Sequence, residues 1–172
     1  MTSFARPDDW SDPVALTDVT GPKKVLVPFD GSHNSERALS WAALLARTTA
    51  AEVVITVAYE QPLTMRGRGS EHIESIRDDL ADEAVSLAEE AVGLLLAGGV
   101  AARGVVIKGE PARGILEVAE TEACELIIIG RRGLTSEMKS VGGALDRFRD
   151  LMQGGVSEKV SRHADIPVMV VP

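Results

Sequence analysis

Short apolar runs alternate with longer amphipathic stretches from about Lys23 to the end of the chain. Five runs predict strands, and the stretches between them carry apolar residues at three- and four-residue steps, as helices do. The predicted strands are Val25–Phe29, Glu52–Tyr59, Ala102–Lys108, Glu125–Ile129 and Ile166–Val171. The predicted helices cover about Asn34–Thr48, Ser70–Leu96, Pro111–Thr121 and Val156–His163. This alternation is typical of repeated βαβ units and a parallel sheet.

The first predicted strand is apolar along its whole length, so we expect helices to cover both of its faces. Right-handed crossovers and short connections leave few topologies for five such strands. We predict an α/β fold with a doubly wound five-stranded parallel sheet, strand order 3-2-1-4-5, and helices on both faces. Strands one and four then lie side by side with crossovers that leave in opposite directions. Such a switch point is where doubly wound sheets bind ligands.

Composition narrows the class of protein further. The chain has 172 residues, enough for one domain with a short appendage. Residues 1–22 hold three prolines and four aspartates without periodicity, which predicts a disordered or loosely packed arm before a domain at 23–172. A net charge of -8 argues against nucleic acid as a partner. Because no apolar run reaches the roughly 18 residues of a membrane span and no signal pattern opens the chain, we expect a cytoplasmic protein without a membrane partner.

Two glycine-containing segments follow the strands that flank the predicted switch point. Strand one leads into Pro28-Phe29-Asp30-Gly31-Ser32, and strand four ends at Ile129 before Gly130-Arg131-Arg132-Gly133. Glycines let a backbone approach a ligand closely and point its N–H groups inward. Asp30 is placed to accept hydrogen bonds from ribose hydroxyls or to hold a phosphate-bound metal ion. The alternative is that this segment only turns the chain and caps the next helix.

A third segment, Gly154-Gly155-Val156-Ser157, opens the last predicted helix. A helix N-terminus with free N–H groups and glycine access is a natural phosphate site. The hydroxyl of Ser157 is a candidate for contacting phosphate, for capping the helix, or for both.

Four segments resemble the universal stress protein family in order and spacing: Lys24–Ala38, Gly109–Pro111, Leu126–Leu134 and Val156–Val171. The resemblance covers about residues 23–172. It implies the 3-2-1-4-5 fold and homodimerisation, often through the last strand, here Ile166–Val171. In one branch of the family it also implies ATP binding through a loop of the form G-x2-G-x9-G-[ST].

The resemblance assigns roles to individual residues. Gly130 and Gly133 match the first two glycines of that loop, and Gly154 matches the third. Pro28, Phe29 and Asp30 match the segment that holds base and ribose, and Val57 and Ala58 the backbone that contacts adenine. The implied ligand is ATP or a related adenine nucleotide, with Mg²⁺ as a candidate companion ion. The predicted nucleotide-binding residues are Pro28, Phe29, Asp30, Gly31, Val57, Ala58, Ile129, Gly130, Arg132, Gly133, Gly154, Gly155, Val156 and Ser157.

The chain departs from the family pattern in two ways. Twenty residues separate Gly133 from Gly154, eleven more than the pattern has, and Gly155 stands where the pattern has a hydroxyl. Within Met138–Met152 apolar residues recur at three- and four-residue steps, so an insertion at about 137–149 is predicted to form a short amphipathic helix. Three roles stay open for it: packing on its own domain, a lid with Arg147 or Arg149 reaching phosphate, or a dimer or partner contact.

Two functions from different classes follow. The first is a stress-response regulatory homodimer that binds an adenine nucleotide. The alternative is a dimeric interaction module that does not bind nucleotide because of the insertion in the phosphate loop. We predict no catalytic residue and at most a slow ATPase, because no nucleophile and base converge at the switch point. Cys124 is predicted to be a buried structural thiol, and the three histidines lack metal-ligand spacing.

Overall fold

The computed structural model describes residues 20–60, 70–133 and 155–172. For residues 70–77 it describes the backbone alone. Nine elements follow one another along the chain. They are β1 (Lys24–Pro28), α1 (His33–Thr49), β2 (Glu52–Tyr59), α2 (Ser70–Ala97), β3 (Ala102–Lys108), α3 (Pro111–Thr121), β4 (Leu126–Gly130), α4 (Val156–His163) and β5 (Val168–Val171). Residues 1–19 of the predicted arm and the predicted insertion helix lie outside the described residues.

The five strands form one parallel sheet in the order β3-β2-β1-β4-β5, as predicted. Helices α1 and α2 cover one face, and α3 and α4 cover the other. The chain moves outward in one direction from β1 through β2 to β3, and in the other direction from β4 to β5. The carboxyl ends of β1 and β4 are therefore the switch point of the sheet.

The central strand β1 shows why its sequence is apolar at every position. Val25 and Val27 pack into the cluster under α1 and α2, and Leu26 packs into the cluster under α3 and α4. All three are fully buried. A strand covered on both faces needs apolar side chains in both directions, which explains the continuous run.

The predicted start of β5 at Ile166 is wrong by two residues. Pro167 has no N–H to donate to the sheet, so only its carbonyl takes part, accepting from the Ile127 N–H at 3.0 Å. Ile166 packs instead against the α3–α4 cluster. The bounds of β1 and β4 shift by one residue, which is within the usual difference between definitions. Among the described residues, no helix is long and apolar enough to cross a bilayer.

Candidate functional site

A cavity of about 530 Å³ lies at the carboxyl ends of β1, β2 and β4. It brings together nearly all of the predicted nucleotide-binding residues. Those that line it are Pro28, Phe29, Asp30, Val57, Ala58, Ile129, Gly130, Arg132, Gly133, Gly155, Val156 and Ser157. Gly31 does not line the cavity; its φ of +74° makes the turn after β1, a conformation that favours glycine. Gly154 lies outside the described residues.

The segment after β1 both turns the chain and faces the cavity. Asp30 Oδ1 accepts hydrogen bonds from the Ser32 N–H at 3.1 Å and from Ser32 Oγ at 2.6 Å. Ser32 is the N-cap of α1, and its Oγ accepts from the Ser35 N–H at 3.2 Å. The capping alternative is therefore correct for Ser32. It does not compete with a binding role for Asp30, because the turn holds that carboxylate at the cavity wall.

Both glycines of the loop after β4 lie too close to the segment that follows β1 to carry a side chain. A Cβ on Gly130 would lie 2.8 Å from the Asn34 carbonyl carbon in the first turn of α1. A Cβ on Gly133 would lie 2.5 Å from Asp30 Oδ2. We predicted these glycines as points of close approach to a ligand. The close approach that the structure shows is between the β4 loop and the α1 segment.

Side chains of α1 and α4 donate hydrogen bonds to the carbonyls of the same loop. The Arg132 carbonyl accepts from Asn34 Nδ2 at 3.2 Å, and the Arg131 carbonyl accepts from Ser157 Oγ at 2.9 Å. The Arg131 N–H donates to the Val171 carbonyl at 2.7 Å. The backbone is thus tied to α1, α4 and β5. The side chains of Arg131 and Arg132 are exposed and line the cavity, where their positive charge favours an anionic group.

Helix α4 begins beside this loop. Its N-cap is Gly155, which has no side chain to cap the helix, so the suggested capping role of Ser157 is wrong. Ser157 lies in the first turn, and its hydroxyl proton is donated to the Arg131 carbonyl. The first backbone N–H groups of α4 have no carbonyl of a preceding turn to bind, and they stand at the cavity wall beside Val156.

Several lining residues were missed by the sequence analysis. Helix α2 supplies one wall through Leu80, Glu83, Ala84 and Leu87. Three of these are apolar residues at three- and four-residue steps within the predicted helix. Thr56 also lines the cavity. A polar residue within the apolar run Glu52–Tyr59 could have marked it as a candidate site residue from the sequence.

In the described part of the chain, no group of three His, Cys, Asp or Glu side chains is placed to hold a metal ion. The acidic side chains on the cavity wall are Asp30 and Glu83. A Mg²⁺ ion that enters with a nucleotide would be held mainly by phosphate oxygens, with Asp30 as the candidate protein ligand.

A larger open groove, of about 980 Å³, lies between α3 and α4. Its arginine and lysine side chains each pair with an acidic one: Arg113 with Glu117, Arg162 with Glu158, and Lys159 with Glu110. The acidic residues Glu120 and Asp165 line the groove as well. Cys124, 5% exposed, lies at its floor, and burial raises the pKa of its thiol, as expected for a structural cysteine. Charge pairing within the groove makes the switch-point cavity the better candidate for an anionic ligand.

The fold and the cavity define a class: a doubly wound α/β protein with a cavity at the switch point of its sheet. Comparison with known proteins gives the family. The universal stress protein family model matches residues 21–172, and the chain belongs to that family.

Individual relatives agree with this assignment. The universal stress protein YxiE of Bacillus subtilis is 32% identical over 155 residues, covering 86% of this chain and 97% of YxiE. The solved structure of MJ0577 of Methanocaldococcus jannaschii has a TM-score of 0.69 at 26% identity, covering 87% of this chain and 94% of that one. A universal stress protein solved in complex with cAMP shares the fold, with a TM-score of 0.63 at 21% identity and coverage of 89% and 99%.

Proposed function

We propose that this protein binds an adenine nucleotide in the switch-point cavity and acts as a cytoplasmic, homodimeric stress-response regulator. The proposal rests on one observation: a single cavity is lined by an apolar wall, by the Asp30 carboxylate and by a cationic loop beside a helix N-terminus. Its volume of about 530 Å³ falls within the roughly 300–1,000 Å³ typical of small-molecule sites.

The order of the strands orients the nucleotide. Val57 and Ala58 at the end of β2 form an apolar wall for the base. Asp30, on the neighbouring β1, is the acceptor for ribose hydroxyls. Arg132 and the first turn of α4 lie beyond β4 and receive the phosphates. The ligand therefore runs across three adjacent strands.

Structural neighbours support an adenine ligand. One universal stress protein was solved with cAMP, and that of Archaeoglobus fulgidus was solved with dAMP. Both ligands contain adenine, a sugar and a phosphate. The cavity of this chain offers a wall suited to each of those three groups.

The free edge of β5 supports the dimer. Strand β5 ends the sheet and pairs with β4 alone among the described strands. Met169 is 38% exposed and Val170 is 40% exposed. A second copy of this strand would satisfy the unpaired backbone groups of the edge and cover both side chains.

Two observations favour the alternative function, an interaction module without nucleotide. The Ser157 hydroxyl proton is already donated to the Arg131 carbonyl, so it is not offered to phosphate. Gly155 also adds no hydroxyl at the helix start. In this alternative, the dimer surface is what partners recognise, and the cavity is not occupied by ATP.

Calorimetric titration of the purified protein with ATP, AMP and cAMP separates the two functions. We expect saturable binding, weakened by Asp30→Asn, which keeps an oxygen for the Ser32 hydrogen bonds but removes the charge. Glu36→Gln, on the exposed side of α1, is the matched control and should bind as the wild type does. Absence of binding by all three ligands would favour the interaction module. Phosphate release from the same samples should show slow turnover at most.

A further inference from the structure

We propose that the Thr56 hydroxyl contacts the base of the bound nucleotide and helps to select it. Among the side chains that the structure describes, Thr56 Oγ1 is the one buried nitrogen or oxygen without a hydrogen-bond partner. Thr56 is 1% exposed and lines the switch-point cavity. A buried hydroxyl that lacks a partner destabilises the folded protein, so a polar group that enters the cavity next to it gains a ready partner.

The backbone of Thr56 is paired within the sheet on both sides. Its carbonyl accepts from the Phe29 N–H at 2.9 Å, and the residue pairs with Pro28 on β1 and Val105 on β3. The hydroxyl therefore has no role in holding the strand. Its neighbours Ile55 and Val57 are aliphatic and buried, and valine would fill the same space with the same preference for a strand. The hydroxyl is the feature that packing does not explain.

The place of Thr56 in the sheet assigns it to the base. It lies on β2, whereas Arg132 and the start of α4 lie beyond β4, with β1 in between. Its register partner Pro28 and the residues that follow it on β2, Val57 and Ala58, are apolar and also line the cavity. A threonine side chain has staggered positions that exchange its methyl and hydroxyl groups without backbone movement. Because a hydroxyl both donates and accepts, it can pair with the amino group or a ring nitrogen of a purine.

The test compares Thr56→Val, which removes the hydroxyl, with Thr56→Ser, which keeps it. Each is titrated with ATP, with adenosine and with inorganic tripolyphosphate. The inference rests on the proposed function. We expect Thr56→Val to lower the affinities for ATP and for adenosine by the same factor, about 3- to 10-fold, because one hydrogen bond is lost. Binding of tripolyphosphate should not change. Thr56→Ser should stay within about 3-fold of the wild type for all three ligands.

Thermal unfolding without ligand supplies a second measurement. Thr56→Val should melt at or above the wild-type temperature, because no hydrogen bond of the fold is removed. Thr49→Val is the matched control: Thr49 Oγ1 donates to the Leu45 carbonyl at 3.0 Å, outside the cavity. That variant should lose stability and keep its affinity for ATP.

The outcomes separate the two proposals. Thr56→Val with wild-type affinity for ATP and adenosine would overturn the inference and leave nucleotide binding standing. An equal loss for tripolyphosphate, or a lower melting temperature, would show that Thr56 acts on the fold instead of the base. A wild-type protein that binds neither ATP nor adenosine would remove the proposed function and this inference with it.

Discussion

A β-carbon on Gly133 would lie 2.5 Å from Oδ2 of Asp30, so the loop after β4 rests directly on the carboxylate that follows β1. The other oxygen, Oδ1, is held by Ser32. The position of the Asp30 carboxylate therefore depends on the absence of a side chain at residue 133. The obstructing atom belongs to the end of a side chain, which can move, and not to the backbone.

Gly133→Ala should therefore displace the Asp30 carboxylate and leave the fold largely intact. We expect ATP affinity to fall by about 10-fold or more, the effect of losing one hydrogen bond to a charged group. Calorimetry measures the affinity, and thermal unfolding measures the stability. Gly93→Ala is the control, because Gly93 is exposed on α2, does not line the cavity, and a Cβ there meets nothing within 4 Å. Equal affinities for the Gly133 variant and the wild type would mean that Asp30 does not contact the ligand.

Gly130→Ala should act on stability instead of on binding. Its Cβ would lie 2.8 Å from the Asn34 carbonyl carbon and 2.9 Å from its oxygen, which are backbone atoms of α1. Overpacking of this kind costs about 1–3 kcal/mol, so the free energy of unfolding in urea should fall by that amount. A variant with wild-type stability would show that α1 shifts away from β4 without cost.

The positions of Gly130 and Gly133 in the fold could be predicted from the sequence, but the residues that they contact could not. Continuous apolar runs such as Val25–Phe29 were sufficient to predict the strands, their order and the edge at which the loops converge. The partner of each glycine depends on distances between elements remote in sequence, such as Gly130 and Asn34, and these are set only when α1 packs on β4. Ser157 is a similar case, because its hydrogen bond to Arg131 joins α4 to a loop more than twenty residues earlier.

Gly155→Ser tests the departure from the family loop. Gly155 is the N-cap of α4 with φ -63° and ψ 173°, a conformation that serine adopts readily at this position. The new side chain meets open space. Serine should stabilise the helix by a few tenths of a kcal/mol and add a hydroxyl beside the phosphate end of the cavity. We expect tighter binding of ATP, by about 3- to 10-fold, with little change for adenosine. An equal gain for both ligands would place the phosphates elsewhere.

Glu110 should make the stability of α3 dependent on pH. Its carboxylate caps the helix by accepting from the Arg113 N–H at 2.7 Å, and Lys159 Nζ donates to it at 3.0 Å. The Arg113 hydrogen bond, with a smaller effect of Lys159, lowers the pKa of Glu110 in the folded protein. Its stabilising contribution is therefore complete above the pKa of the unfolded chain and is lost as pH falls through the lowered folded pKa.

Glu110→Ala should lower the free energy of unfolding by about 0.5–2 kcal/mol near neutral pH, the usual effect of losing an N-cap. The difference from the wild type should shrink as pH falls below about 4, the range of the unfolded-chain pKa, and should be smallest below the lowered folded pKa, where the carboxyl is protonated in both states. Urea unfolding at several pH values measures this. Glu110→Gln keeps an oxygen acceptor for the Arg113 N–H, so its stability should vary less with pH over the same range. A constant difference between alanine variant and wild type would show that the charge plays no part.

The edge strand β5 provides the test of the dimer. Lysine side chains on an edge strand oppose pairing with a second copy, because their charges must be buried or brought together. Met169→Lys with Val170→Lys should weaken the homodimer by roughly tenfold or more, as measured by light scattering during gel filtration over a range of concentrations. Both side chains are partly exposed within one copy, so the fold of the monomer should tolerate the change. Leu96→Lys, on α2 and 55% exposed, is the matched control and should leave the dimer intact. A double variant as dimeric as the wild type would place the interface away from β5, and a monomeric wild type would remove the homodimer from the proposed function.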